Sequence, residues 1–248
     1  MGLGQKIYST IYKVVYRDKN VRKEFHMYNR HGLKLILAYA NRVDRRLIVK
    51  KPYEPEAIKH FEDSIKTGSF DLMLDIGANI GLYSLTAAKL GCPKIIAFEP
   101  DDRNSFQLRA NILLNNFIDI IEVFPYGLSD EDGQAPFLKE KGANTGASRI
   151  ETTAPAETEY ERYDSVSVKV CRFDDQFTFT GHRAFIKIDV EGHELNVIKG
   201  MTNFLSNNKC IAQIEVFDGN LAIVENYLRG IGYKKLREFE DDRIFSNN

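Results

Sequence analysis

Residues 72–84 read LMLDIGANIGLYS. The apolar run Leu72, Met73, Leu74 and Ile76 predicts a buried parallel strand, and Gly77, Ala78, Asn79, Ile80 and Gly81 then turn the chain into an apolar helix with Asn79 as its expected N-cap. Strand, glycine turn and helix start, in that order, present backbone N–H groups and the positive end of a helix dipole to a ligand. Glycine lets that ligand approach the main chain closely. Standing alone, the motif equally describes a tight strand-to-helix turn in any α/β protein.

Outward from it, Gly91 closes the helix, KIIAF over 94–98 predicts a second strand, and Glu99 sits at its end, 24 residues after Asp75. A carboxylate there suits a ribose diol, because it accepts from both hydroxyls, and the usual spacing is about 20 residues. NAD and S-adenosylmethionine both carry such a ribose. A dinucleotide fingerprint needs glycine where this chain has Asn79, since the pyrophosphate must reach the backbone there. A ligand without pyrophosphate fits better, which favours S-adenosylmethionine.

Four motifs, DIGANIGLYS, AFEPDD, PYGLSDEDG and IKIDVEGHELNVIKG, together resemble the FkbM family of S-adenosylmethionine-dependent methyltransferases. The likeness runs over about residues 53–217, and its last motif is the most specific. It implies a class I methyltransferase fold: a Rossmann-like, seven-stranded, mostly parallel sheet flanked by helices, with S-adenosylmethionine as cofactor. Carried onto this chain, the cofactor residues are Asp75, Gly77, Ala78, Asn79, Gly81, Glu99, Pro100, Asp101, Gly127 and Ser129. The resemblance also implies that the N-x-G-x-S element, Asn144, Gly146 and Ser148, belongs near the site.

A chain of 248 residues, 43% hydrophobic and 28% charged, can bury a sizeable core. It contains no run of about 18 apolar residues, and Lys6 and Lys13 interrupt the apolar pattern of residues 1–16, which argues against a signal peptide. Lys6 stands where a myristoylation signal wants Ser or Thr. Cys92, Cys171 and Cys210 are too few and scattered for a disulfide framework or a zinc site, so a reducing cytoplasm is the expected home.

The net charge of −1 is unevenly placed: residues 1–51 hold 13 Lys and Arg against three acids, giving +10 there and −11 in the remainder. Residues 1–52 therefore read as a basic helical appendage and 53–248 as the methyltransferase domain. At helical spacing Ile7, Ile11 and Val14 share a face opposite Lys6, Lys13 and Arg17. Such a segment either packs on the domain or rests peripherally on an anionic membrane or acidic partner. The acidic remainder argues against nucleic acid.

Residues 53–70 predict a helix. Asp101 or Asp102 caps the next, whose Phe106, Ala110, Leu113 and Phe117 are expected in the core, and 119–126 form a third strand. Residues 134–177 break the rhythm with short β-like pieces around a polar stretch, and are read as an insertion serving as a substrate lid. A fourth strand (184–190), a helix (191–205), a fifth strand (209–217), a further helix and a terminal hairpin complete the chain.

Asp75, Glu99, Asp189 and Glu215 all lie near the carboxyl ends of their strands, where ligands of open α/β sheets bind. Asp189 and Glu215 are the candidate bases, with Lys187 as their ion-pair partner. His193 is a weaker substrate or base candidate, and Asn144 and Ser148 are the substrate residues on the insertion. A Mg²⁺ held by Asp189 and Glu215 stays open, and no metal is assigned. No Asn or Asp precedes a Pro-Pro pair and no Pro-Cys nucleophile exists, so base methylation is disfavoured. The FkbM resemblance implies an O-methyltransferase whose acceptor is a hydroxyl of a sugar in a glycan or of a secondary metabolite. An RNA methyltransferase and a non-catalytic nucleotide-binding module are the alternatives.

Overall fold

The computed structural model describes Tyr16 and residues 21–142, 144–151 and 161–248. The helical faces expected around residues 6–17, Tyr16 apart, and the polar stretch 152–160 lie outside the described residues. In chain order the elements are β1 (Phe25–Arg30), β2 (Leu33–Ala38), α1 (Arg42–Ile48), α2 (Pro55–Gly68), β3 (Leu72–Ile76), α3 (Leu82–Lys89), β4 (Ile95–Phe98), α4 (Asp102–Leu114) and β5 (Ile121–Phe124). They continue with β6 (Gly127–Ser129), β7 (Gly133–Glu140), β8 (Arg149–Ile150), β9 (Tyr163–Arg172), α5 (Phe173–Gln176), β10 (Arg183–Ile188), α6 (Glu194–Gly200), α7 (Thr202–Asn207), β11 (Lys209–Glu215), α8 (Asp218–Gly230), β12 (Lys234–Phe239) and β13 (Asp242–Ser246).

The main sheet has seven strands in the order β12-β13-β11-β10-β3-β4-β5. The β11, β10, β3, β4 and β5 strands pair in parallel, while β13 runs antiparallel to both its neighbours. Side-chain alternation divides two cores across this sheet. Met73 and Phe185 join the core under α2 and α3; Leu72, Leu74, Ile186 and Ile188 join the other, with Val197, Phe204 and Leu228. The central strands are apolar on both faces because helices cover both. One polar row interrupts this: Asp75, Lys187 and Gln213 are register partners on adjacent strands.

Two expectations are corrected. Among the described residues, the basic N-terminal segment is a β1–β2 hairpin and a short helix rather than a run of helices, and it is not a separate unit. Leu33, Leu35, Leu37, Leu47 and Ile48 are buried in the same core as Phe61, Met73 and Leu85. Alternation of these leucines along 33–37 is a strand period. The second correction concerns α4, whose Phe106 and Leu113 point outward while Asn104, Gln107, Leu108 and Asn111 are buried. These amides complete the edge of β2. The Asn111 side chain accepts from Ile36 N at 2.7 Å, Gln107 Nε2 donates to Ile36 O at 2.8 Å, and Asn115 both accepts from Lys34 N and donates to Lys34 O. A buried strand edge must find such partners.

The predicted single helix over 191–205 is broken into α6 and α7, after a turn in which Glu191 and Gly192 have positive φ. The insertion forms a second sheet, β6-β9-β7-β8, with β7 and β9 antiparallel along eight residue pairs. Among the described residues no helix is long and apolar enough to cross a membrane.

Candidate active site

At the carboxyl ends of β3 and β4 a narrow cleft of about 560 Å³ runs between the main sheet and the insertion. Gly77 and Asn79 line one wall, Glu99 and Pro100 the end of β4, and Phe98, Leu128, Phe137 and Ile150 an apolar slot beside Gly127. The turn that shapes it depends on backbone conformation. Gly77 has φ +81 and Asn79 φ +51, a left-handed position that asparagine tolerates better than most residues. Asn79 is therefore not the N-cap. Gly81, at φ +88, takes that place ahead of α3. The freed Asn79 N–H donates instead to Glu99 Oε2 at 2.7 Å, while Asp101 N donates to Glu99 Oε1 at 2.8 Å. Burial pushes the Glu99 carboxyl up to about 8, against the opposing pull of these two N–H donors.

A wide polar cleft of about 1770 Å³ adjoins the narrow one. Asn79, Gly146 and Asp189 line both. The wide cleft is also faced by Glu54, Glu191, Glu215 and Asp241, with Arg42 and Arg46 of α1 on the far wall. Beneath it Lys187, 1% exposed, holds three carboxylates: Asp242 Oδ1 at 2.9 Å, Glu215 Oε2 at 3.9 Å and Asp189 Oδ2 at 4.0 Å. One cation does not neutralise three carboxylates. Burial first, and the Asp189 carboxylate second, push Glu215 well above the usual carboxylate range. The cation itself is fixed as a cation, since its carboxylate neighbours outweigh its burial and raise Lys187.

Asp242 is the residue that sequence reading missed. The charged turn before β13 reads as a solvated hairpin tip, yet β13 pairs β11 with Asp242 opposite Glu215, which carries its carboxylate under the cleft. From there Gln213 Nε2 donates to Asp242 Oδ1 at 3.0 Å and to Tyr83 OH at 3.2 Å, and Tyr83 OH donates to Glu54 Oε2 at 3.0 Å. Glu191, pushed up to about 7 by burial and by Asp189, also went unremarked in the sequence. Among the described residues no group of three or more His, Cys, Asp or Glu is arranged to hold a metal ion.

Asp75, Ala78, Asp101 and His193 lie off the two clefts. Asp75 is buried and its Oδ2 accepts from Ser84 N at 3.0 Å and Ser84 Oγ at 2.5 Å, so it fixes the start of α3 rather than facing a ligand. Ala78 N donates to Phe98 O. Asp101 caps α4 through Arg103 N, pairs with Arg103 and Lys139, and accepts from Ser148 Oγ. His193 is 5% exposed, bonded through Nε2 to Ser129 Oγ at 3.0 Å, and lines neither cleft. It is thus set back from both clefts, behind Ser129. Burial lowers its proton affinity. Ser148 lines the narrow cleft and Asn144 the wide one.

A profile of the methyltransferase FkbM domain matches residues 75–235. The chain belongs to the FkbM methyltransferase family. Its curated relatives include the hexuronic acid methyltransferase AglP of Haloferax volcanii, 29% identical over 140 residues, covering 55% of this chain and 52% of AglP. The methyltransferase sdnD of Sordaria araneosa is 26% identical over 167 residues, covering 57% of this chain and 64% of sdnD. The match thus spans between half and two thirds of each relative. Among solved structures, a human methyltransferase 10 domain containing protein aligns over 98% of this chain and 95% of its own, at 14% identity and a TM-score of 0.47.

The FkbM cofactor is S-adenosylmethionine, and the narrow cleft fits its parts. The apolar slot beside Gly127 suits adenine. Glu99 keeps further lone pairs on both oxygens for ribose hydroxyls after accepting its two N–H donors. Asn79 Oδ1 is buried without a hydrogen-bond partner among the described residues, an acceptor that a bound ammonium would satisfy.

Proposed function

We propose that this FkbM methyltransferase methylates a hydroxyl of a sugar, in a glycan or a glycosylated small molecule, with Asp189 as the base. The observation that carries the reading is that Asp189 lines both the narrow cleft and the wide one, beside Glu215, whose proton affinity burial and the Asp189 carboxylate raise. S-adenosylmethionine, when bound, supplies a methyl group on a sulfonium that transfers by in-line displacement. Glu99 and the turn over 77–81 orient the cofactor, and alignment of this kind is worth up to roughly 7 to 11 kcal/mol. Asp189 takes the proton of the attacking hydroxyl, a contribution of about 10² to 10⁴ in rate. Lys187, within about 4 Å of both carboxylates, and the neighbouring Glu215 hold that carboxylate in place.

The wide cleft supports a sugar over RNA. Its many carboxylates suit a polyhydroxylated ligand, each oxygen accepting from a hydroxyl, and repel a chain of phosphates. Arg42 and Arg46 offer guanidinium groups to one acceptor carboxylate. That chemistry agrees with AglP, whose name specifies a hexuronic acid.

The test is transfer from methyl-labelled S-adenosylmethionine to hexuronic-acid glycans, neutral glycans and a structured RNA. Base-stable label on a hexuronic-acid glycan is expected, since a methyl ether survives alkali and a methyl ester does not. Label on RNA alone, or base-labile label, would overturn the assignment.

A further inference from the structure

The apolar stripe of α4 that sequence periodicity assigns to the core faces outward. Phe106 and Leu113 are 73% and 61% exposed. On β1, Phe25 and Met27 are 57% and 60% exposed, and the ladder sets them opposite Ala38 and Ile36 of β2. Phe25, Ile36, Ala38, Phe106 and Ala110 line one groove of about 1760 Å³ between the hairpin and α4. Met27 and Leu113 extend this apolar surface along β1 and α4. Four large exposed apolar side chains on the hairpin and on the helix bonded to its β2 edge, two of them lining one groove, are more than scattered surface residues, and apolar patches of this kind mark an interaction face.

The charges around the groove identify the partner. Its charged lining consists of Arg22, Lys23, Arg45, Arg103 and Lys141, with no Asp or Glu. Arg103 and Lys141 reach Asp101 and Asp164, which lie outside that lining, at 3.1 and 3.3 Å. The groove shares Asn104 and Thr145 with the narrow cleft but contains none of the carboxylate cluster around Lys187. Here Arg22, Lys23 and Arg45 of the basic N-terminal segment meet the exposed stripe of α4. An apolar floor inside a cationic rim matches the boundary of an anionic bilayer, with phosphate headgroups above acyl chains. A single-stranded nucleic acid would also meet the cations, but it needs flat rings for stacking. Phe25 and Phe106 would offer two rings, but Met27, Ile36, Ala110 and Leu113 on the same face offer no stacking plane and no hydrogen bond to a base edge, whereas all six are apolar groups that an acyl boundary accepts.

We propose that this face docks the protein on an anionic lipid surface: phosphate headgroups contact the cationic rim, and Phe25, Met27, Phe106 and Leu113 enter the acyl boundary. The proposal does not depend on the identity of the methyl acceptor. It is tested by sedimenting the full chain with vesicles of phosphatidylcholine alone or mixed with phosphatidylglycerol. Binding to the mixed vesicles, weakening as salt is raised, is expected. Phe106→Ser and Lys23→Glu should each reduce it about fivefold or more. Cofactor affinity by calorimetry should stay unchanged in both variants, which reports that they are folded. Absence of binding to the mixed vesicles would overturn the proposal, as would undiminished binding by both variants. So would binding to a single-stranded RNA without binding to vesicles.

Discussion

The carbonyl oxygen of Asp189 lies 1.8 Å from the position that a Cβ on Gly77 would occupy. The turn after β3 and the end of β10 are thus packed backbone against backbone, so one residue both opens the cofactor turn and sets the position of the proposed base. Gly77 N is anchored to Phe98 O and Asp189 N to Ile76 O, both at 2.9 Å, which leaves the two segments little room to separate.

Gly77→Ala should therefore damage more than one step. The φ of +81 alone costs a non-glycine residue roughly 1 to 2 kcal/mol, and displacement of the Asp189 backbone adds to this. We expect a lower unfolding temperature and loss of measurable cofactor binding in calorimetry. Unchanged affinity in a folded variant would show that the turn does not touch the ligand.

Lys187→Met removes the cation that pairs with the carboxylates of Asp189, Glu215 and Asp242 within about 4 Å. A buried pair broken on one side costs about 3 to 5 kcal/mol, because the remaining charge is left without a partner. Denaturant unfolding should report a loss of that order. Adding Asp242→Asn should recover part of it, since one of the orphaned carboxylates is then neutral.

Glu99→Ala should weaken S-adenosylmethionine by about 1.5 to 3 kcal/mol, the range for hydrogen bonds to a charged acceptor. The free carboxyl sits at about 8, and ribose hydroxyls bond best to its ionised form. Cofactor binding near pH 7 should then release protons. Calorimetry in two buffers of different ionisation enthalpy would detect the release, and buffer-independent heats would count against it.

Stability of the cofactor-free chain should fall as pH rises from about 5 to 8.5. Burial raises Asp44 and Asp75 from 3.8 to about 6 and Glu99 from 4.5 to about 8. Each raised carboxyl is fully stabilising below its unfolded value and loses that contribution as pH passes through its folded value. Over this window the folded state binds more protons than the unfolded one, so the slope is negative. Asp63, Asp102 and Asp130, whose values are lowered, act in the opposite sense only at more acid pH; His60 and His193, lowered from 6.5 by burial, oppose the slope below about 6.5, where Glu191, raised to about 7, adds to it. Thermal unfolding across this range is the measurement.

What the sequence made legible follows from how each feature is encoded. Parallel strands covered on both faces are continuous apolar runs, so 72–76, 94–98, 184–190 and 209–217 stood out and brought Glu99, Asp189 and Glu215 to one rim. Periodicity shows that α4 is amphipathic but not which face turns inward. Here the inward face is chosen by amide side chains that complete the β2 edge, a requirement set by a strand some 70 residues away. Asp242 was hidden for a related reason, since an antiparallel register places it opposite Glu215 and no local pattern announces that pairing.

The assignment of the base can be separated from the assignment of its neighbour. If the pair shares a proton and it rests on Glu215, then Glu215→Gln supplies an N–H donor where the carboxyl supplied an O–H, and turnover should fall only a few-fold. Asp189→Asn cannot accept the hydroxyl proton, so turnover at saturating acceptor should fall about 10² to 10⁴, with much smaller change in cofactor affinity. The double variant should be little worse than Asp189→Asn alone, because the two carboxyls act as one unit and their effects are not additive. Equal losses in the two single variants would mean that the proton moves between them during turnover and that neither is a fixed donor. Near-normal turnover in both would remove the pair from proton transfer altogether. Glu191, on the same wall and pushed up to about 7, would then be the next carboxyl to substitute.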